Sequence, residues 1–321
     1  MKKIIVTGGA GFLGSHLCEQ LIQAGNQVVA IDNLLTGSQK NIVSLMTNKN
    51  FSFMQMDVCD EEMLKKIKGI EEIYHFASPA DPNANSKFSY LAHPFETMLA
   101  NTTGTWLLCQ LAVKNNARLS FASTSEIYGD PEVSPQSETY RGNVSTTGPR
   151  SVYDESKRFG ETIVTAFVKE KGLDGRITRI FNTYGPKMNP GEGRAVVNFI
   201  NQAISGEPMT IYGDGKQTRS FCFVDDQIQG QIKAMESKNT KGEVFNIGNP
   251  AEISILEFAS KIKELSQSTS EIVFSQELPI DDPKQRKPDI SKAAKMLEWE
   301  PHESLESGLL ATIDYFKSLS A

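Results

Sequence analysis

Cysteine is scarce in this 321-residue chain: Cys18, Cys59, Cys109 and Cys222 stand far apart, and none forms a C-x-x-C pair. That spacing argues against a disulfide framework or a thiol zinc site, and reads as reduced thiols in or near the core of a cytoplasmic protein. Histidine is equally rare, with four residues and no ligand spacing, so no metal site is expected. His16 and His75 read as structural. Positive charge is not in excess either. A formal net charge of −6 argues against a partner such as nucleic acid, whose phosphates need neutralising. Local basic residues can still line a pocket for a small anion. Long hydrophobic runs are missing too: nothing approaches the roughly 18 apolar residues of a membrane span. The opening MKKIIVTGGAGFLG loses its apolar run to glycine too early for a secretory leader. Trp106 and Trp299 read as packing residues, and no internal repeat or low-complexity linker interrupts the chain.

What remains is ordinary globular composition, 39% hydrophobic and 22% charged. Short apolar strands alternate with amphipathic helices through the first half. Strands are expected at 3–7, 27–32, 51–56, 70–76, 119–122 and 176–180, and helices at 12–23, 61–67, 94–113 and 152–169. Alternation of this kind predicts an α/β fold, a doubly wound parallel sheet covered by helices on both faces. After Phe181 the pattern loosens into helices near 196–204 and 226–235 with short strands between. From Ile253 it reads as helix, strand, a charged loop and two further helices. We therefore expect a first domain over 1–181, joined by 219–248, and a smaller α/β domain mainly from 182–321.

The segment Thr7-Gly8-Gly9-Ala10-Gly11-Phe12-Leu13-Gly14 follows the first strand and opens the first helix. Gly9, Gly11 and Gly14 satisfy G-x-G-x-x-G, while Gly8, Gly11 and Gly14 satisfy G-x-x-G-x-x-G. Glycine at these places allows a tight turn, close backbone approach to a pyrophosphate and close helix–strand packing. The helix N-terminus offers N–H groups and a positive dipole end to phosphate. Asp32, ending the second strand, can accept from ribose hydroxyls and repels a 2′-phosphate, and the neighbouring Asn33 supplies no cation. This pattern predicts a Rossmann domain for NAD rather than NADP. Gly8, Gly11, Phe12, Leu13, Gly14, Asp32, Asn33, Asp57, Val58 and Ala77 are the expected cofactor contacts, with Tyr153 and Lys157.

Tyr153 and Lys157 lie four residues apart, on one face of a helix. A tyrosine, with an ordinary pKa of about 10, is a poor base at neutral pH. A lysine cation and an oxidised nicotinamide beside it favour the phenolate. Thr124-Ser125-Glu126 follow a strand at its carboxyl end, where open α/β sheets bind ligands. Thr124 can share the reacting oxygen with Tyr153, and Glu126 can serve as acid or base.

The segments TGGAGFLGSHL (7–17), ASTSEIYGDPEVSPQSE (122–138), GPRSVYDESKR (148–158), RIFNTYGPKM (179–188), GEPMTIYGDGKQTRSFCFVDD (206–226) and QRKPDI (285–290) resemble the extended short-chain dehydrogenase/reductase family. Within it they are most similar to the UDP-glucuronate decarboxylases (UDP-xylose synthases), and the likeness runs from Lys3 to about Glu303. The resemblance implies that Thr124, Tyr153 and Lys157 form the hydride-transfer triad. It implies that Glu126, with Ser125 beside it, and Arg286 handle protons and a carboxylate. Asn182, Arg194, Tyr212, Gln217 and Arg219, with Arg286, match positions that hold a UDP-sugar. It also implies a homodimer paired through the helices near 94–113 and 152–169. Lys284, Arg286 and Lys287 otherwise read as a solvated run of charge. At Leu99 the animal and plant decarboxylases have a lysine placed to meet the sugar carboxylate, and the segment 81–90 is longer than the family pattern. A nucleotide-sugar 4,6-dehydratase or 4-epimerase thus stays open at this point, as does, more remotely, a non-catalytic Rossmann sensor.

Overall fold

Alternating apolar residues in the first strands dictate the layering. Ile4 and Val6 point to one face of the sheet and Ile5 to the other, and each face has its own buried cluster. The computed structural model describes residues 1–275 and 285–320; Lys284 and most of the charged loop expected before it lie outside the described residues. Seven parallel strands run in the order Val244–Ile247, Asp174–Ile180, Arg118–Thr124, Glu72–His75, Lys3–Thr7, Gln27–Asp32 and Phe51–Gln55. The order reverses beside Lys3–Thr7, whose neighbours are Gln27–Asp32 and Glu72–His75. At such a switch point the flanking loops diverge and leave a crevice at the carboxyl ends of the strands.

Helices Phe12–Gln23 and Val224–Glu236 cover one face; Thr105–Asn115 and Ser151–Lys171 cover the other. The helix expected over 94–113 is continuous in direction but not in type. It runs as α-helix Pro94–Leu99, a π-turn Ala100–Gly104 and α-helix Thr105–Asn115. A Cβ on Gly104 would come within 2.7 Å of a Val58 methyl, so the close approach here requires glycine. Trp299 packs as expected, buried with its indole N–H donating to Asp226 O at 3.1 Å. Trp106 does not: it is 49% exposed, with one edge on Phe167. All four cysteines are free, and Cys18, Cys109 and Cys222 are buried. No helix among the described residues is long and apolar enough to cross a membrane.

The remaining elements pack above the strand ends. Helices Ala195–Ser205, Ile255–Ser266 and Leu305–Ser320 share a core through Phe199, Phe258, Ile262 and Ile313. Strand Met209–Tyr212 pairs with Ile272–Ser275, and Thr218–Ser220 lies between Glu252–Ser254 and Gln285–Arg286.

One buried amide ties these parts to the large sheet. Asn246, on its edge strand, accepts from the Tyr128 hydroxyl at 2.8 Å and donates to the carbonyls of Gln136 at 2.9 Å and Asp289 at 3.0 Å. Replacing it by alanine removes three hydrogen bonds between buried groups, each contributing about 1 kcal/mol. Asn246→Ala should therefore lower the unfolding free energy by roughly 3 kcal/mol in urea titrations. A loss below about 1 kcal/mol would show that this amide is not a structural hub.

Candidate active site

A cleft of 830 Å³ opens at the carboxyl ends of the strands, and every residue assigned above to catalysis, cofactor or substrate lines it. Strand Arg118–Thr124 delivers Thr124 to the cleft floor. Its hydroxyl accepts the Glu126 N–H at 3.2 Å and so begins the tight turn Ser125–Tyr128. Helix Ser151–Lys171 carries Tyr153 and Lys157, both buried. Tyr90 stacks on Tyr153 with ring centroids 4.8 Å apart and planes 8° from parallel, which holds the phenol ring in place. The Lys157 ammonium donates to the Ala122 carbonyl at 2.7 Å and lies 5.7 Å from the centroid of the Tyr153 ring.

Burial sets most of the electrostatics. It pushes Lys157 down to about 7, against the pull of Glu161. It also pushes the Tyr153 phenol up, opposed by a hydrogen bond from Thr124 and reinforced by the charge of Glu126. Burial thus opposes the phenolate, and the expected base needs the charge of an oxidised nicotinamide as well as the lysine. Asp154 is driven up to about 8 by burial and then by Glu126, against Arg150 and Arg286. Glu126 goes the other way. Burial would raise it, but Arg150 and Arg286 hold it at about 2. Arg150 Nη2 donates to Glu126 Oε2 at 2.6 Å, and Arg286 donates to Oε1 at 2.5 Å and to Oε2 at 3.1 Å.

The outer wall carries Asn182, Arg194, Tyr212, Gln217 and Arg219. Arg194 pairs with Glu192 at 3.1 Å. Gln217 donates to Tyr212 O at 3.0 Å and leaves its buried Oε1 without a partner among the described residues. The segment after Ser78 forms the rim: Asp81 accepts the Gly193 N–H at 3.1 Å, and Ser86 donates to Gly191 O at 3.4 Å. Leu99 faces away. It is 50% exposed and does not line the cleft, whereas Glu96 and Ala100 on the same helical stretch do.

The model of the NAD dependent epimerase/dehydratase family matches residues 4–248. The chain belongs to this family. It is 47% identical over 316 residues to UDP-glucuronic acid decarboxylase 1 of Xenopus tropicalis, covering 98% of this chain and 72% of that one. It is 45% identical to UDP-glucuronic acid decarboxylase 1 of Arabidopsis thaliana, covering 98% and 70%. Among solved structures, UDP-glucose 4-epimerase from Thermotoga maritima with UDP-glucose superposes with a TM-score of 0.89 at 32% identity, covering 99% of this chain and 100% of that one. UDP-glucuronic acid 4-epimerase from Bacillus cereus, in complex with UDP-glucuronic acid and NAD, gives 0.82 at 33%, covering 99% of both.

The family's cofactor is NAD, and the crevice fits it. Gly8, Gly11 and Gly14 line the cleft, while Gly9 packs on Ala30, so G-x-x-G-x-x-G is the pattern that faces a ligand. A Cβ on Gly14 would sit 2.0 Å from Gly8 O. Helix Phe12–Gln23 begins there with no side-chain cap, leaving its first N–H groups for phosphate. Asp32 is buried, and its oxygens accept from Ala10 N–H at 3.0 Å and Leu34 N–H at 2.8 Å. Asp57 stands beside it, accepting from the Asn33 side chain at 2.8 Å. His75 is structural, as expected: burial lowers it to about 3, and its neutral ring joins Thr7 Oγ1 at 2.8 Å to Ala100 O at 3.2 Å. Tyr90, Arg150 and Asp154 had no assigned role in the sequence. GPRSVYDESKR contained Arg150 and Asp154, but nothing in its spacing set them apart from helix-end charge.

Asp32→Ala should weaken NAD binding by about tenfold, the scale of one charge-assisted hydrogen bond. It should also bring NADP affinity up toward that for NAD, since the repulsion of a 2′-phosphate disappears. Fluorescence titrations of both cofactors check this; an unchanged NAD-to-NADP preference would remove Asp32 from the ribose site.

Proposed function

We propose that this chain decarboxylates UDP-glucuronate to UDP-xylose with no net oxidation. The observation that carries the reading is the placement of Arg286 on Glu126 beside Thr124 and Tyr153: a carboxylate-binding cation and an acid/base next to an alcohol-handling pair. The 43–47% identity to UDP-glucuronic acid decarboxylases supports it. Arg286 is buried, and its Nε has no partner among the described residues, so a donor remains for an incoming oxygen.

NAD held at Gly8, Gly11, Gly14 and Asp32 would supply the acceptor, and later the donor, of the hydride at the sugar C4. Tyr153 takes the C4 hydroxyl proton, while Thr124 donates to the same oxygen. The C4 ketone is β to the C6 carboxylate, so loss of carbon dioxide leaves the electron pair in an enolate. Thr124 and Tyr153 stabilise the enolate oxygen. The proton added at C5 is drawn from solvent and relayed by Glu126, and Tyr153 returns its proton to the C4 oxygen. The balance is one proton taken up and one carbon dioxide released. Asn182, Arg194, Tyr212, Gln217 and Arg219 hold the nucleotide diphosphate, mainly from the 182–321 part of the chain. A 4-epimerase of a neutral sugar needs no carboxylate cation, a 4,6-dehydratase acts on a neutral C6, and a 4-epimerase of a uronate would return a product that keeps its carboxylate.

We further propose a homodimer. Phe95, Leu99, Trp106 and Phe159 are each about half or more exposed on the helices of 94–115 and 151–171, an apolar face that a second copy would cover. Four free cysteines favour a reducing, cytoplasmic location.

Purified enzyme given UDP-glucuronate should release carbon dioxide and form a UDP-pentose without stoichiometric NADH, sedimenting as a dimer. Tyr153→Phe should keep NAD binding and lose activity by about 10²–10⁴-fold. Release of a 4-keto-6-deoxy sugar from a neutral UDP-hexose, with none of these products from UDP-glucuronate, would contradict the assignment.

A further inference from the structure

Tyr153, Lys157 and Glu161 recur every four residues along helix Ser151–Lys171, so phenol, ammonium and carboxylate share one row of its surface. The first two line the cleft and Glu161 does not, so the chemistry described so far leaves it unused. Its side chain is only 13% exposed, and its carboxylate accepts three hydrogen bonds. Ser123 Oγ donates to Oε1 at 2.5 Å; Arg179 donates from Nε to Oε1 at 2.9 Å and from Nη2 to Oε2 at 2.8 Å. Arg179 uses its remaining nitrogen on Tyr128 Oη and the Glu138 carbonyl, both at 2.9 Å. Ser123 and Arg179 are register partners on adjacent strands, so one helix side chain staples both strands to the helix. The place of the staple is specific. Ser123 sits between Ala122, whose carbonyl accepts from the Lys157 ammonium at 2.7 Å, and Thr124, which lines the cleft. A plain ion pair between helix and sheet would be complete with the two-point fork of Arg179. The serine adds a third contact at the residue flanked by two groups of the site.

We propose that Glu161 is a positioning residue for the Tyr153–Lys157 pair: it clamps the end of strand Arg118–Thr124 against the helix and supplies the negative charge that keeps Lys157 an ammonium. This rests on the reading that Tyr153 and Lys157 move the proton of the sugar hydroxyl. Lys157 is buried, with its Nζ 5.0 Å from the centroid of the Phe121 ring. The titratable groups facing it are Tyr153 and Glu161 on its own helix and His75 on strand Glu72–His75, which burial keeps neutral. Those facing Glu161 are Arg179 on strand Asp174–Ile180 and, through Arg179, Tyr128. Burial draws Lys157 down to about 7, so near neutral pH the local field decides whether it is charged. Glu161 is the charge that opposes burial there. Without a cation beside it, the Tyr153 phenol loses part of the help it needs to ionise. Glu161 exerts this control from outside the cleft.

Carbon-13 NMR of NAD-loaded enzyme labelled at lysine Cε follows Lys157 directly, its signal assigned by its loss in Lys157→Arg. Glu161→Gln keeps the shape and removes the charge, and it should lower the Lys157 midpoint by about one pH unit. Turnover of UDP-glucuronate should fall about tenfold above neutral pH and recover toward wild type below it, with KM within about threefold. Glu161→Asp restores the charge and should return the midpoint most of the way. Ser123→Ala leaves the charge, and so the midpoint, but slackens the clamp and should cut turnover several-fold at every pH. It serves equally if the glutamine variant does not fold, and unaltered turnover there removes the clamp. An unchanged Lys157 midpoint in Glu161→Gln, or a lower melting temperature in both variants with turnover and pH profile intact, overturns the proposal and leaves a structural brace. The lysine titration needs no sugar, so it judges Glu161 even where UDP-glucuronate is not turned over. Full activity in Tyr153→Phe would instead remove the reading of the Tyr153–Lys157 pair.

Discussion

A carboxylate stays ionised inside a buried cleft only where cations meet it, and two guanidinium groups meet Glu126. That requirement joins three distant parts of the chain: the turn after strand Arg118–Thr124, the start of helix Ser151–Lys171 and the strand Gln285–Arg286. Removing either cation would leave a charge that burial alone pushes toward protonation. The surrounding hydrogen bonds make sense as means of keeping these segments together. Gln136 exchanges backbone bonds with Lys287 and Asp289, and Asn246 bonds to both Gln136 and Asp289. Arg286 is therefore fixed to the large sheet through the polypeptide on either side of the site, not through its own short strand alone.

The same cluster separates the roles of its neighbours. Glu126 is held charged while Asp154, one residue from Tyr153, is pushed up to about 8. Two carboxyls with opposed shifts at one site are a familiar route to distinct proton-holding roles. Tyr153 and Lys157 lie beside this cluster, and burial pushes the phenol up. The cleft thus places a group able to take a proton from an alcohol next to cations able to receive a carboxylate. In a uronic acid these two functions sit on adjacent parts of one ring.

Much of this was legible in the sequence. The first strand, helix and second strand have the expected bounds, because glycine punctuation and apolar periodicity coincide there. Asp32, Tyr153 and Lys157 follow from their spacing behind that motif. Other features depend on tertiary contact and leave no local trace. The π-turn Ala100–Gly104 reads as plain helix because its residues are compatible with either form. Trp106 reads as core because tryptophan usually packs, yet it lies on a face left half open. Leu99 looked like a defect in the site, whereas the helix turns it outward. Arg286 was found through resemblance alone; its neighbours Lys284 and Lys287 suggest an ordinary charged loop. Nothing in the sequence marks Arg150, and only the approach of Glu126 from another element sets it apart.

The central claim is that oxidation, loss of the carboxylate and reduction occur in one closed sequence at this cluster. Product NMR after turnover of UDP-glucuronate in deuterium oxide tests it most directly. A UDP-pentose carrying one deuterium at C5 and none at C4 is expected, since C5 takes its proton from solvent-exchanged groups and C4 recovers its own hydride. Deuterium at C4, or a product that keeps its C6 carboxylate, would contradict it.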